Sequence, residues 1–268
     1  MKKNIKAIIA ALSASIMCAV PVAASFANTT AVTSITAEAA ADIIHDATLI
    51  AGDNIVIAKG ALTYQINGSE ASLYGRYNQV SDVIMPDKLR YNGTIYKITS
   101  VRPEAFKNAC TTATGSGVRR FRCGKYVRII GDRAFMGSSV YDVDLSGAAS
   151  LTTIGNDAFA CASVGTSLTI PASVTLIRSG AFRDNRWLNT IEFSSSSRYL
   201  TISSRAFANL TNLTAIEADR IYYSSSSASN AFAGVNPSFD PYNDITGAGK
   251  TRFISIFFPG YPNPNPTR

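Results

Sequence analysis

The chain has 268 residues, a formal net charge of +7 and a mean hydropathy of +0.10. Three of its basic residues are lysines within the first six positions, and without residues 1–27 the net charge is only +4. So small and scattered an excess argues against nucleic-acid binding.

Residues 1–27 have the pattern of a secretory signal peptide. The three lysines precede an apolar run over residues 7–24, and the small residues that follow are suited to cleavage after Ala27 or after Ala24. Cleavage would leave no transmembrane segment and would place the protein outside the cell or on its surface. The alternative is an uncleaved membrane anchor, although the run lacks the length of a typical span.

Residues 28–60 show no clear periodicity, and we expect them to form a flexible segment. The only histidine of the chain, His45, lies within it. Residues 61–97 contain two Asn-Gly pairs, at Asn67-Gly68 and Asn92-Gly93. Such pairs are typical of the tight turns in β-hairpins, so this segment is predicted to be rich in strands.

An Ala-Phe pair recurs through the rest of the chain. Its phenylalanines are separated by 29, 24, 23, 25 and 25 residues. In the first five copies an apolar residue stands both five and eight positions earlier, with Tyr199 at the latter place in the fifth copy. The six phenylalanines are Phe106, Phe135, Phe159, Phe182, Phe207 and Phe232. A unit this short does not bury its own apolar face, so stacked units, a solenoid, are indicated.

A second block, apolar-x-x-apolar-x-apolar, follows most of the Ala-Phe pairs. Its end alternates, as a strand with one buried face does. The copies centre on Val83, Phe121, Val143, Leu168, Ile191, Ile216 and Ile256. We therefore predict seven strands in a parallel ladder, within a right-handed solenoid of about seven coils over residues 98–259.

Two segments, Leu151-Thr-Thr-Ile-Gly-Asn-Asp-Ala-Phe159 and Leu168-Thr-Ile-Pro-Ala-Ser-Val-Thr-Leu-Ile177, resemble the BspA-like leucine-rich repeats of bacterial secreted and surface proteins. The resemblance covers residues 80–235. It implies a leucine-rich-repeat solenoid in which residues 61–97 are the β-rich N-terminal cap and first coil. It also implies binding or adhesion at a cell surface, and the family has no shared catalytic residues.

The residues between the buried positions of each strand are predicted to face solvent. In the first coils they carry charges of both signs, so we expect Arg120 and Arg122 to pair with Asp82, Asp142 and Asp144. Further along, Glu192 is expected beside Glu217, either splayed into water or holding a cation or a basic partner. The candidate interaction surface comprises Arg120, Arg122, Tyr141, Asp142, Asp144, Glu192, Glu217 and Phe257. The alternative is a solvated surface that neutralises itself.

The last strand block is apolar on both faces. Phe253, Ile256 and Phe258 fit the buried places, whereas Ile254 and Phe257 fall where other strands have polar residues. Such an edge strand would pair with a second molecule, unless residues 233–252 fold back over it. Residues 260–268 are proline-rich and predicted to be an extended tail.

Few residues in the sequence carry catalytic or metal-binding chemistry. One histidine and three cysteines beyond the leader, Cys110, Cys123 and Cys161, do not make a zinc site or a nucleophile-base pair. We expect no catalytic residue, no metal and no cofactor. Cys110 and Cys123 either form a disulfide or are small core residues.

These observations predict a secreted or cell-surface protein that binds a protein partner, such as a surface component of a host or neighbouring cell. One alternative is a non-catalytic carbohydrate-binding solenoid, which would favour a row of exposed aromatic residues, of which Tyr141 is the one candidate. Another is a polysaccharide-cleaving β-solenoid enzyme. It would need a pair of carboxylates, or a carboxylate and a base, held in a cleft, and Arg120 and Arg122 with Asp142 and Asp144 are the candidate group.

Overall fold

A computed structural model describes residues 42–51, 55–58, 61–78, 80–110, 117–220 and 222–261. These residues form a solenoid with parallel strand ladders, a group of strands at its N-terminal end and a helix at its C-terminal end. The predicted leucine-rich-repeat fold with about seven coils is thereby confirmed. The leader at 1–27 and the tail beyond residue 261 lie outside the described residues.

Six of the first seven strands close into a ring. The seven strands are β1 (Ile44–Ala51), β2 (Ile55–Ala58), β3 (Leu62–Asn67), β4 (Glu70–Arg76), β5 (Asp82–Ile84), β6 (Lys88–Tyr91) and β7 (Thr94–Val101). Neighbours pair in the order β1, β2, β3, β4, β7, β6, and β6 pairs back with β1. Val56, Tyr64, Leu73 and Leu89 fill the interior and are fully buried. Each of these six strands therefore has a paired strand on both sides.

The prediction that residues 28–60 are flexible is wrong for residues 44–51 and 55–58. These residues form β1 and β2, and His45 lies on β1 opposite Leu89 of β6. The error has a physical cause, because β1 gains its partner β6 from more than 40 residues away. A strand stabilised by distant pairing leaves little local signal in its own sequence.

Asp42 ties the beginning of β1 to the first coils. Its carboxylate lies 2.5 Å from Nζ of Lys88 and 3.3 Å from Nζ of Lys125, and it accepts a 2.8 Å hydrogen bond from the hydroxyl of Tyr126. Hydrogen bonds from Lys88, and then from Tyr126, lower the pKa of Asp42 to about 2, against an opposing effect of desolvation.

Two ladders run along the solenoid. Beyond β7 the strands are β8 (Arg120–Arg122), β9 (Ile129–Ile130), β10 (Asp142–Asp144), β11 (Thr153–Ile154), β12 (Ser167–Ile170), β13 (Leu176–Ile177), β14 (Thr190–Phe193), β15 (Thr201–Ile202), β16 (Ala215–Ala218) and β17 (Ile245–Thr246). The rear ladder consists of β7, β9, β11, β13 and β15, and it is continuous with the ring through β7. The front ladder consists of β5, β8, β10, β12, β14, β16 and β17. We call its solvent-exposed side the front face.

The core between the ladders is a column of phenylalanines. The six Ala-Phe phenylalanines stack with ring centroids 5.0–5.3 Å apart and ring planes within 10° of parallel. Beside them lie the residues five positions earlier, which are fully buried in the rear ladder at Ile130, Ile154, Ile177 and Ile202. The predicted repeat frame is confirmed at these positions.

Residues with a left-handed backbone conformation lie on both sides of most Ala-Phe pairs. The residue two positions after each phenylalanine has a φ between 53° and 69°, as at Gly137, Asp184 and Asn209. Glycine, asparagine and aspartate adopt this conformation most readily, and such residues occupy most of these positions. The turns therefore bring every coil back to the same place in the stack.

One position of the repeat frame was assigned wrongly. The apolar place eight residues before Phe207 is Tyr199, but Tyr199 is exposed and its ring instead contacts Tyr222 at 5.5 Å. Leu200, the next residue, is fully buried and bridges to Tyr223. Seven residues separate β14 from β15, whereas five separate β12 from β13, and the buried position moves by one residue there.

The predicted seventh strand over residues 253–258 is also wrong, because these residues lie in a helix. A short helix α1 (Pro241–Asp244) leads into β17, which pairs with β16, and α2 (Lys250–Phe257) follows. Phe253 and Phe257 are four positions apart and share one helix face, so the same apolar pattern also suits a helix. Among the described residues, no helix is long and apolar enough to span a membrane.

Helix α2 covers the end of the phenylalanine column. The ring of Phe257 is 3% exposed and lies 5.5 Å from the ring of Phe232 and 5.7 Å from that of Tyr223. Phe257 therefore does not belong to the surface, contrary to the sequence prediction. The apolar edge strand proposed for self-association is absent, since Thr246 of β17 takes the place beside Glu217.

Truncation of one ring in the column should destabilise the whole fold. We expect Phe159→Ala to lower the free energy of unfolding by about 3–5 kcal/mol, because the cavity removes contacts with two neighbouring rings. Chemical denaturation measures this change, and Thr211→Ala, at an exposed turn position, is the matched control. A loss below about 1 kcal/mol would contradict the central position of the stack.

The C-terminal helix should act as a cap on the monomer. Phe257→Ala should lower the free energy of unfolding by about 3–5 kcal/mol, because the ring is buried against Phe232 and Tyr223. The control is Thr251→Ala, an exposed position of the same helix. Sedimentation and denaturation together test this, and a variant that changes its association state at unchanged stability would argue for an exposed edge instead.

Asp42 should contribute stability that depends on pH. Its folded-state pKa of about 2 is below the ordinary value of 3.8, so the contribution is complete above that ordinary value and is lost as the pH falls from about 4 to about 2. The stability difference between the wild type and Asp42→Asn should therefore shrink over this range. Denaturation at several pH values measures it, with Asp46→Asn, on the adjoining strand β1, as the control. A difference that stays constant down to pH of about 2 would refute the ion-pair assignment.

Candidate functional site

The front face carries outward-facing residues in two aligned columns. In β5, β8 and β10 the middle residue points inward and its two neighbours point to solvent, as the period of a strand requires. The register places Arg120 between Asp82 and Asp142, and Arg122 between Ile84 and Asp144. The columns predicted from the sequence therefore stand on one exposed surface.

The arginines of β8 form ion pairs across the ladder. Arg120 lies 3.1 Å from the carboxylate of Asp142 and 3.6 Å from that of Asp82. Arg122 lies 3.6 Å from the carboxylate of Asp144, which also accepts hydrogen bonds from the backbone and hydroxyl of Ser146. All these side chains are more than one-third exposed. Pairs this exposed add little stability and remain available to another molecule.

The two glutamates further along the front ladder have different surroundings. Glu192 and Glu217 are directly opposite in β14 and β16, as the sequence predicts. The hydroxyl of Thr169 donates a 3.1 Å hydrogen bond to Glu192, which draws this side chain toward β12. Glu192 is half-buried and Glu217 is exposed, so the two charges differ in their surroundings.

The front ladder is interrupted between β10 and β12. The N–H of Gly165 donates to the carbonyl of Tyr141 at 2.7 Å, but no ladder pairs these two strands. Alternate residues of a parallel strand direct their peptide groups to opposite sides. Asp142 and Asp144 bond to the β8 side, and Thr166 and Ile170 to the β14 side. The peptide groups of Val143, Ser167 and Thr169 therefore face a seam without a ladder partner.

A groove of about 870 Å³ lies over this seam. Its lining includes Tyr141 and Val143 on one side, Thr166 and Ser167 on the other, and Trp187 from the following coil. Trp187 is 60% exposed and Tyr141 is 55% exposed. Smaller depressions of about 330 and 490 Å³ adjoin the other sides of Trp187. The groove is thus the largest of the three described depressions around Trp187.

Both aromatic residues are held by buried backbone. A Cβ on Gly165 would lie 2.8 Å from the carbonyl oxygen of Tyr141 and 3.0 Å from its ring, so only glycine allows this packing. Trp187 projects from a turn fixed by buried Asn185, whose side-chain amide donates to the carbonyls of Phe159 and Phe182 at 2.7 and 2.8 Å. The packing on Gly165 and the hydrogen bonds of Asn185 therefore fix the backbone positions from which the two rings project.

The repeats match a known family model. Six copies of the BspA-type leucine-rich repeat region cover residues 99–236, just over half of the chain. The chain belongs to this family. No protein of curated function shows significant sequence similarity to it.

Solved structures of other bacterial proteins are similar to this BspA-type protein, and the first of those below shares its fold. The pneumococcal vaccine antigen PcpA is 20% identical, with a TM-score of 0.54, over 74% of this chain and 51% of that one. A leucine-rich cell surface protein of Faecalibacterium prausnitzii is 17% identical, with a TM-score of 0.39, over 64% of this chain and 54% of that one. A leucine-rich-repeat protein of Bacteroides ovatus is 22% identical, with a TM-score of 0.40, over 59% and 45%. The chain thus spans about half the length of these proteins.

Trp187 is the residue of the site that the sequence prediction missed. It lies in a turn between the Ala-Phe pair and the strand block, outside the BspA-type repeat pattern, and no other repeat has an aromatic residue there. One sequence feature pointed to this residue. It is the only tryptophan of the chain, and it stands directly before Leu188, the first apolar residue of a strand block, without fitting an apolar position of the repeat.

Reactive groups are sparse on the front face. Asp142 and Asp144 each contact an arginine rather than a second carboxylate, and His45 lies in the N-terminal ring. In the part of the chain that the structure describes, no group of three or more His, Cys, Asp or Glu side chains is placed to hold a metal ion.

The three described cysteines are unpaired thiols. Cys123 is a buried core residue, and burial raises the pKa of its thiol strongly. Cys110 and Cys161 are exposed, so only Cys123 matches the alternative of a small core residue.

Proposed function

We propose that this protein is a secreted or cell-surface binding protein that uses the front face of its leucine-rich repeats to contact another protein. The observation that carries the proposal is the group of exposed, mutually paired charges at Arg120, Arg122, Asp142 and Asp144. Charges of both signs at fixed spacing provide electrostatic complementarity and register with a partner, beyond their small contribution to stability.

The family supports this proposal, because leucine-rich repeats generally mediate protein interactions. The lysine-rich start and apolar run of residues 1–27 support export, and with it a partner on a host or neighbouring cell. Each front-face aspartate is paired with an arginine, which argues against a polysaccharide-cleaving enzyme. A glycosidase needs two carboxyl groups that flank the scissile bond.

Site-specific cross-linking tests the partner class directly. A photoreactive amino acid is placed in the full chain at Thr169, exposed on the front ladder, or at Ile129, exposed on the rear ladder. The proposal expects a protease-sensitive adduct with one surface protein from position 169 only, and its loss in Arg122→Glu. Equal adducts from both positions, or turnover of a polysaccharide by the purified chain, would overturn it.

Charge reversal at Arg122 should act on association more than on stability. With the cross-linked partner immobilised, we expect Arg122→Glu to change the association rate constant by about tenfold at low salt. The difference should fall as salt screens the charges, while the free energy of unfolding changes by less than about 1 kcal/mol. The control is Arg205→Glu, an exposed arginine in an Ala-Phe turn. An unchanged rate constant would confine Arg122 to a structural role.

A further inference from the structure

We propose that the groove between Tyr141 and Trp187 is a binding site for an oligosaccharide of pyranose sugars. It lies on the same face as the proposed protein contact and shares Arg120 and Asp142 with it. The two aromatic rings are not part of that charged group, and Arg122, the residue that tests the protein contact, is not in the lining, so the two functions are tested separately. The sequence leaves carbohydrate binding as an alternative that lacks a second exposed aromatic residue. Trp187 supplies that residue.

The first argument is the placement of the two rings. Tyr141 and Trp187 belong to coils two steps apart, which corresponds to about 10 Å along the solenoid at the usual spacing of neighbouring strands. An aromatic face is electron-rich and attracts weakly positive C–H groups. The C–H faces of pyranose rings present such groups, so two units of an extended glycan chain would stack on the two rings.

The second argument is the polarity of the space between the rings. The lining includes the hydroxyl-bearing residues Ser81, Ser163, Thr166 and Ser167. Beside them, the peptide groups of Val143 and Ser167 face the seam without a ladder partner. Sugar hydroxyls both donate and accept hydrogen bonds, and would bond to such groups in the way that water does.

The third argument is the guanidinium of Arg119. Arg120 is paired with two aspartates, whereas Arg119 lines the groove and contacts no acidic side chain among the described residues. An unpaired guanidinium offers two parallel donors to vicinal hydroxyls or to a carboxylate. An acidic sugar would therefore add a charge-assisted contact to the stacking.

The surroundings of the rings favour a sugar over a protein in this groove. The centre of a protein interface is apolar and excludes water around its aromatic residues. Here serine, threonine, arginine and aspartate residues surround the rings, and Val143 is the one aliphatic residue of the described lining. A ligand that is apolar on its ring faces and hydroxylated on its edges matches this distribution.

The test uses the only tryptophan of the chain as a reporter. The fluorescence of Trp187 in the full chain is titrated with cellohexaose, xylohexaose, mannohexaose and oligogalacturonate. The proposal expects at least one of these sugars to shift the emission saturably. If oligogalacturonate responds best, Arg119→Ala should remove its advantage over the neutral sugars and the salt dependence of its binding.

Variants then assign the binding to the groove. Affinity electrophoresis in gels containing the responding glycan should show at least tenfold weaker binding for Trp187→Ala and for Tyr141→Ala, with partial retention in Trp187→Phe. Tyr199→Ala removes an equally exposed tyrosine outside the groove and should bind normally. Thermal unfolding confirms that all variants remain folded.

Three outcomes would overturn the proposal. They are the absence of an emission change with all four sugars, wild-type glycan binding by Trp187→Ala, and a protein adduct that maps to Trp187. Failure here leaves the proposed protein contact intact, because that contact is judged by cross-linking and by Arg122→Glu. Loss of the protein contact would likewise leave the sugar titration unaffected.

Discussion

The structure depends on burying each Ala-Phe phenylalanine between the rings of the coils before and after it. A single coil has two apolar faces and no means of hiding them, so its stability comes from its neighbours. The near-parallel stacking at a constant 5.0–5.3 Å fixes the rise from one coil to the next. That rise matches the spacing of hydrogen-bonded strands, so the core and the ladders reinforce one another.

Such a stack has an apolar surface at each end, and the chain covers the two ends in different ways. At the N-terminal end the ring of strands is continuous with the rear ladder through β7, so the first coil grows out of a closed set of hydrogen bonds. At the C-terminal end Phe253, Phe257 and Phe258 of the helical segment pack on Phe232. Aromatic side chains thus end the column that aromatic side chains build.

The repeats could be predicted from the sequence because six copies reveal the same spacing, and each copy corrects the interpretation of the others. The ends could not, because each occurs once. The strand at residues 44–51 pairs with β6, more than 40 residues along the chain, as well as with its neighbour β2. The pattern at Phe253, Ile256 and Phe258 fits a strand or a helix equally well. The same reasoning applies to the front face. Its charged columns follow from the repeat register, whereas Trp187 stands outside that register and becomes part of a site only when the coils are stacked.

The interruption of the front ladder between β10 and β12 has a mechanical consequence. The rear ladder continues without a break from β9 through β11 to β13 at the same level. Hydrogen bonds therefore resist separation of these coils on one side, while the other side is joined through Gly165 and side-chain packing. We therefore expect the solenoid to bend most easily at this interruption, where the groove lies. A molecule that bridges Tyr141 and Trp187 would restrict bending between these coils. Binding in the groove would thereby influence the curvature of the front face around it.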